Sequence, residues 1–312
     1  MSDPTGVLFM AYGGPDSLSD IGGYLADIRS GRTTPRSVLE AITYNYKRIG
    51  GRSPLRERTQ ETIDAVMRKL EGEGFRAYLG MRHWAPWIEE TVGQMIDDGI
   101  KRAISIVMAP HYSRLSVAKY QQKITHGLRM YRGSIEFRHI NSYYDAPGLI
   151  EALAGRVHEG IKRWPEAERA EVHVVFSAHS LPARILQYGD PYEQQLLETA
   201  RRVAVEANVP RCRWSWSWQS AGRSAEPWLG PQLDEHLKAL AAQHITQVVS
   251  VPVGFVSDHV EVLYDIDIKA QSVARRCGMR LERPPALNDD PIFTRQLAAI
   301  VYAEAMEAGW LN

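Results

Sequence analysis

Val172-His-Val-Val-Phe-Ser-Ala-His-Ser-Leu-Pro182 is a short β-branched and apolar run that stops abruptly in hydroxyl and imidazole side chains. A continuous apolar run of this length suits a strand covered on both faces, and such strands belong to parallel sheets flanked by helices. Outward from it, comparable runs recur at 7–11, 75–80, 103–108, 135–140, 213–218 and 247–253. Helical patterns fill the gaps: Leu18, Ile21, Leu25 and Ile28 share one face, and Thr59 with Thr62 opens a pattern through Ile63, Val66, Met67 and Leu70. This alternation predicts an α/β protein of βαβ crossovers. Two such series meet near Tyr143-Tyr-Asp-Ala-Pro-Gly148, in keeping with 312 residues at roughly 150 per domain. The expected domains are 1–145 and 146–289, with a last helix, 290–312, packing back on the first.

Composition narrows the function. Lys+Arg and Asp+Glu are equal at 37 each, so the basic excess of a nucleic-acid binder is missing. Two cysteines, Cys212 and Cys277, do not make a disulfide framework or a four-thiolate cluster. Met1-Ser-Asp-Pro-Thr-Gly6 lacks the basic and apolar regions of a signal peptide, and no apolar run approaches the roughly 18 residues of a membrane span. A cytoplasmic protein without stable membrane insertion is expected.

Ligands of open α/β sheets bind beyond the carboxyl ends of the strands. Three of those ends carry chemistry here: Tyr12-Gly-Gly-Pro15, Ser177-Ala-His-Ser180 and Trp218-Gln-Ser220. The first does not match G-x-G-x-x-G and no Walker A pattern occurs, which argues against a nucleotide. No G-x-S-x-G elbow surrounds Ser177 or Ser180, which argues against a serine hydrolase. His179 is then either a satisfied structural histidine or a working group. Downstream, Ser257-Asp258 are good N-cap residues for a helix carrying Glu261 and Asp265. Four apart, these carboxylates stack about 6 Å along one face, able to pass protons or a hard cation unless they simply face solvent. His259, two residues from Glu261, points elsewhere. Trp214, Trp216 and Trp218 alternate onto one strand face, a core face or the wall of a flat ligand. Met81-Arg-His83-Trp84 and Pro110-His-Tyr-Ser113 also follow strands, so His83 lines the site or satisfies a loop.

In their order along the chain these segments resemble the ferrochelatase family. The signature is Val175-Phe-Ser-Ala-His179-Ser-Leu-Pro182, followed by Gly189-Asp-Pro-Tyr192. Further matches are Met10-Ala-Tyr12-Gly-Gly-Pro15, Gly50-Gly-Arg-Ser53-Pro54, Gly80-Met-Arg-His83-Trp84, Trp218-Gln-Ser-Ala-Gly222, Pro227-Trp-Leu-Gly230 and Val253-Gly-Phe-Val-Ser-Asp-His259. The resemblance implies two similar Rossmann-like domains with a porphyrin cleft between them. It also implies an inner pair, the His of Ser-x-His-Ser-Leu-Pro and the Glu of Asp-His-x-Glu, which are His179 and Glu261. Facing each other across the macrocycle, they would serve as proton acceptor or transient ligand (His179) and partner at the metal (Glu261), with Asp265 and His83 as a proton or metal path. Neutral imidazole suits borderline Fe²⁺. Iron is here a substrate, and no cofactor is required.

Within the family the chain is similar to the small monofunctional branch that acts on coproporphyrin III. The loop 16–32 is polar where membrane-associated relatives carry an apolar lip, and no Cys-bearing extension follows Asn312. In that branch Tyr12 matches an aromatic over the metal, and Arg29, Ser53 and Tyr120 match propionate-binding positions. Partners would be an upstream porphyrin oxidase and a downstream coproheme decarboxylase. Asn45 and Lys269 depart from the branch, which places an arginine and an acid there at an outer Mg²⁺ site; a cation in the third place of the row 261, 265, 269 implies weaker occupancy of that site. Rival readings are a ferrochelatase acting on protoporphyrin IX and a non-catalytic tetrapyrrole carrier, the latter expected to lack the inner pair.

Overall fold

The computed structural model describes residues 3–222 and 224–311. The chain divides into two compact units, one running to Tyr143 and resuming at Asn288, the other spanning Tyr144–Leu287. In the first unit β1 (Thr5–Ala11) leads to α1 (Ile21–Ile28), α2 (Arg36–Arg48), α3 (Leu55–Lys69) and β2 (Phe75–Met81). Then come α4 (Ile88–Asp97), β3 (Arg102–Val107), α5 (Val117–Met130) and β4 (Glu136–Ile140). The second unit holds α6 (Pro147–Ile161), β5 (His173–His179), α7 (Tyr192–Glu206), β6 (Trp214–Gln219), α8 (Leu233–Ala242) and β7 (Gln247–Val251). It continues through α9 (Val260–Leu263), a π-helical turn (Asp265–Ala270), α10 (Gln271–Arg276) and β8 (Arg280–Glu282). Helix α11 (Pro291–Glu307) returns to the first unit.

Each unit has one four-stranded sheet, ordered β2-β1-β3-β4 and β6-β5-β7-β8, and every pairing is parallel. The two orders are the same, second-first-third-fourth in chain order. All seven residues of β1 are buried, and in β5 all but the last, His179. Central position explains the unbroken apolar runs, and each fully buried Val, Leu or Phe there contributes about 1.5–3 kcal/mol. Residues 213–218 read as a comparable run, yet β6 lies at an edge. Strand β8 escapes detection by periodicity because it is three residues long, with Leu281 between two charged neighbours.

Such an order has its switch point between the first and third strands, where connections leave in opposite directions and open a crevice at the carboxyl ends. In the first unit that point adjoins Tyr12 after β1, and in the second it lies between His179 at the end of β5 and the loop after β7.

Helix α3 starts at Leu55, so Thr59 and Thr62 are interior positions rather than a start; both hydroxyls bond back to the carbonyls four residues earlier. Thr62 also donates to the carbonyl oxygen of Asn288 at 3.0 Å, tying α3 to the segment that begins α11. Asp290 caps α11 by accepting from the N–H groups of Ile292 and Phe293 at 2.9 and 3.2 Å, with Pro291 in the first turn. Asp290→Ala should therefore destabilise the protein by about 1 kcal/mol, read as a lower urea midpoint with an unchanged slope.

Candidate active site

His179 is the last residue of β5, and its side chain emerges where the sheet ends. Its Nδ1 lies 2.9 Å from Oε2 of Glu261, at the start of α9, with the two side chains 30% and 33% exposed. The bond spans the switch point, since β5 and β7 are neighbours. A carboxylate only accepts, so Nδ1–H is the donor and neutral His179 keeps its lone pair on Nε2. Tyr192 donates to the His179 carbonyl at 3.0 Å and holds the strand end.

The expectation that this pair faces itself across a macrocycle fails. Groups on opposite faces of a flat ring stand about 7 Å apart, twice a contact distance of about 3.5 Å, whereas these are hydrogen-bonded within one unit. Burial pulls the imidazole down, but the Glu261 charge and hydrogen bond, with Asp265 behind them, outweigh it and raise His179 above its ordinary value. Burial raises Glu261, and His179 with His259 more than reverses that. Each partner thus stabilises the charged form of the other against the penalty of burial.

Asp265 belongs to the same group. Burial, opposed by the hydrogen bond from Ser220, helped by the Glu261 charge and countered by Lys269 and His179, leaves its carboxyl raised to about 6. The segment from Glu261 to Lys269 is not one regular helix: α9 is a single turn and a π-helical stretch follows, with Lys269 N–H bonding the Tyr264 carbonyl five residues back. Lys269 does not pair with Asp265; its ammonium sits 2.6 Å from Asp234 of α8. The N-cap differs too. Asp258 is held by Arg283 at 3.0 Å, and His259, extended at φ −155°, caps α9 by accepting from Glu261 N–H at 3.1 Å.

Gly254 explains how the loop after β7 comes so near β5. A Cβ on it would lie 2.5 Å from Ala178 Cβ and 3.0 Å from Ala178 Cα, the residue before His179. Gly254→Ala should cost about 1–3 kcal/mol through overpacking and lower activity further by prising Glu261 from His179, checked by denaturation and turnover on the same preparation.

The first unit gathers a second group. The Tyr12 and His83 rings are 4.6 Å apart, and Arg82 lies over Tyr12 at 5.9 Å and over Tyr120 at 5.4 Å. His83 donates from Nδ1 to Asp27 at 2.6 Å; burial, only partly opposed by that bond, draws it down to about 4. Tyr120 is buried in the core under β1 and β3. Ser53 packs on Gly14, whose missing Cβ would fall 2.4 Å from the Ser53 hydroxyl. Arg29 ends α1, and its Nε is buried with no hydrogen-bond partner among the described residues. Asn45 is a half-buried position of α2. Asp27, Gln219 and Ser220 escape sequence reasoning as site residues, although the last two stand inside the Trp218-Gln-Ser220 motif. Of the three indoles, Trp218 is 1% exposed, packed on Tyr192 and Trp216, so its face is core rather than a ligand wall.

Against known proteins, residues 4–305 match the family described as Ferrochelatase. A protein of Deinococcus radiodurans named ferrochelatase is 58% identical over 306 residues, 97% of each chain. A coproporphyrin III ferrochelatase of Geobacillus kaustophilus is 40% identical over 309 residues, again 97% of each. Among solved structures, the sirohydrochlorin chelatase of Bacillus subtilis in complex with cobalt aligns over 99% of both chains with TM-score 0.58 at 10% identity, a likeness of fold. With the family match spanning nearly the whole chain and relatives of this identity at full length, the chain belongs to the ferrochelatase family.

Proposed function

We propose that this protein inserts Fe²⁺ into coproporphyrin III, forming coproheme and releasing two protons. The observation that carries this reading is the His179–Glu261 hydrogen bond at the switch point. Nδ1–H given to Glu261 leaves Nε2 as the base that takes a pyrrole proton, and the carboxylate steadies the imidazolium that forms. Asp265, with a carboxyl pushed up to about 6, can accept that proton and release it near neutral pH. Among the described residues no group of three or more His, Cys, Asp or Glu forms a metal cage. A pair suits a chelatase better: two donors can guide iron and leave coordination positions open to the pyrrole nitrogens.

The four propionates of coproporphyrin III suit the polar loop 16–32 and the buried, partnerless Nε of Arg29. We assign propionate contacts to Arg29, Ser53 and Tyr120, an aromatic contact near the metal to Tyr12, and a proton or metal path to Asp265 and His83. Iron and porphyrin are substrates, and no cofactor is needed. The work would take place in the cytoplasm, between a porphyrin oxidase and a coproheme decarboxylase. No helix among the described residues is long and apolar enough to cross a membrane.

Anaerobic Fe²⁺ mixed with coproporphyrin III or detergent-solubilised protoporphyrin IX tests the proposal by the spectral change of metalation. Faster insertion into coproporphyrin III is expected. Equal or better efficiency with protoporphyrin IX overturns the substrate, and binding of either without turnover would make the protein a carrier.

A further inference from the structure

We propose that Gln219 is a positioning residue that sets the geometry of the His179–Glu261 pair. The proposal rests on the reading that this pair performs the chemistry. Gln219 ends β6, in register with His179 on β5 as Ser217 is with Ser177. Side chains two residues apart share a face, so Ser177, His179 and Gln219 lie on the same side of the sheet.

The bonds made there leave Gln219 no freedom. Ser177 Oγ–H donates to its Oε1 at 2.7 Å, and its Nε2 donates to the carbonyl oxygen of Glu261 at 2.7 Å. A carbonyl oxygen only accepts, so the amide has one allowed orientation. The Gln219 main-chain oxygen accepts from Ser180 N–H at 2.7 Å, on the far side of His179. One residue therefore grips the strand end before and after His179 and the first turn of α9 at Glu261. Neighbouring Ser220, at φ 59° in the left-handed region, donates to Asp265. Gln219 is 2% exposed and both ends of its amide are bonded within the protein, so it acts through the pair rather than on the porphyrin.

The separation between β5 and α9 needs such a gauge. The loop after β7 leaves the sheet at Val251, and Glu261 is reached ten residues later through irregular backbone. Little else on that path aims the carboxylate: His259 fixes the Glu261 N–H and Gln219 its C=O, so both main-chain polar groups of Glu261 are held by side chains. Residues that orient a working group through hydrogen bonds typically change affinity or activity 10- to 100-fold when removed.

The test uses Gln219→Met, which keeps length and loses both side-chain bonds, and Gln219→Glu, which keeps shape and, ionised, opposes an oxygen to the Glu261 carbonyl. Turnover is normalised to the fraction of enzyme that binds porphyrin. In both variants kcat should fall about 10- to 100-fold with KM for porphyrin unchanged. In parallel, the His179 Nδ1–H proton resonance, identified by its loss in His179→Ala, should weaken or disappear. A lower Tm with wild-type kcat per competent enzyme and an unaltered resonance would reduce Gln219 to a structural role and overturn the proposal. If Gln219→Met does not fold, the isosteric Gln219→Glu decides. Failure of the wild-type enzyme to metalate any porphyrin overturns the proposed function instead, and the resonance still reports whether Gln219 sets the pair.

Discussion

His179→Ala and Glu261→Gln are each expected to slow metalation about 100- to 10,000-fold, the range of a lost general base, with porphyrin binding largely kept. Removal of the imidazole takes away Nε2, the proposed proton acceptor. Replacement of the carboxylate keeps size and shape but removes the charge that fixes the tautomer and steadies the imidazolium. The pH dependence of residual activity separates the two roles. In the wild type His179 is raised above its ordinary 6.5, so kcat/KM should climb with pH along a limb whose midpoint lies above that value. Glu261→Gln removes the larger of the charges that lift the imidazole and leaves burial opposed by Asp265 alone, so the limb should move to lower pH. An unmoved limb would show that another group takes the proton.

Stability follows with a definite sign. His179, raised in the fold, contributes stability fully present below 6.5 and lost as pH climbs through its folded value. Glu261, lowered from 4.5, contributes stability present above that value and lost as pH falls through its folded one. The contribution of the pair is therefore greatest between about 4.5 and 6.5, and Glu261→Gln should narrow its stability gap to the wild type on either side of that window.

Arg29→Ala should raise KM for coproporphyrin III by roughly 10- to 100-fold with kcat little changed. A hydrogen bond to a charged group contributes about 1.5–3 kcal/mol, and a contact made equally in ground and transition states appears in KM alone. The prediction follows from the proposed propionate contact, for which the buried Nε of Arg29, without a hydrogen-bond partner among the described residues, is an unfinished donor. Steady-state kinetics with coproporphyrin III, repeated with protoporphyrin IX, measures the effect. A fall in kcat at constant KM would remove Arg29 from porphyrin binding.

Much of the architecture was legible in residues alone. Buried parallel strands must be apolar at every position, so β1 and β5 announce themselves as runs, and the stop at His179 marks where the sheet ends. Strand β8, three residues at a sheet edge, carries no such constraint and left no signal. The motifs identified the family, and they singled out His179 and Glu261, which the structure brings into hydrogen-bond contact.

Only the tertiary structure decided how these groups meet. Residues 179 and 261 lie far apart in the chain, and nothing in either segment says whether they oppose each other across a ligand or share a proton. The β5–β7 neighbourhood and the close approach of Gly254 to Ala178 bring them to 2.9 Å, and contact with a carboxylate assigns the tautomer. Local periodicity misdirected the helix beyond Glu261. A regular helix would align Asp265 with Lys269, but Asp234 on α8 captures the lysine, Arg283 takes Asp258, and His259 inherits the cap. The residues determined which side chains stand at the ends of which strands, through burial and alternation. Pairing between segments distant in sequence, which depends on packing in three dimensions, decided which of them touch.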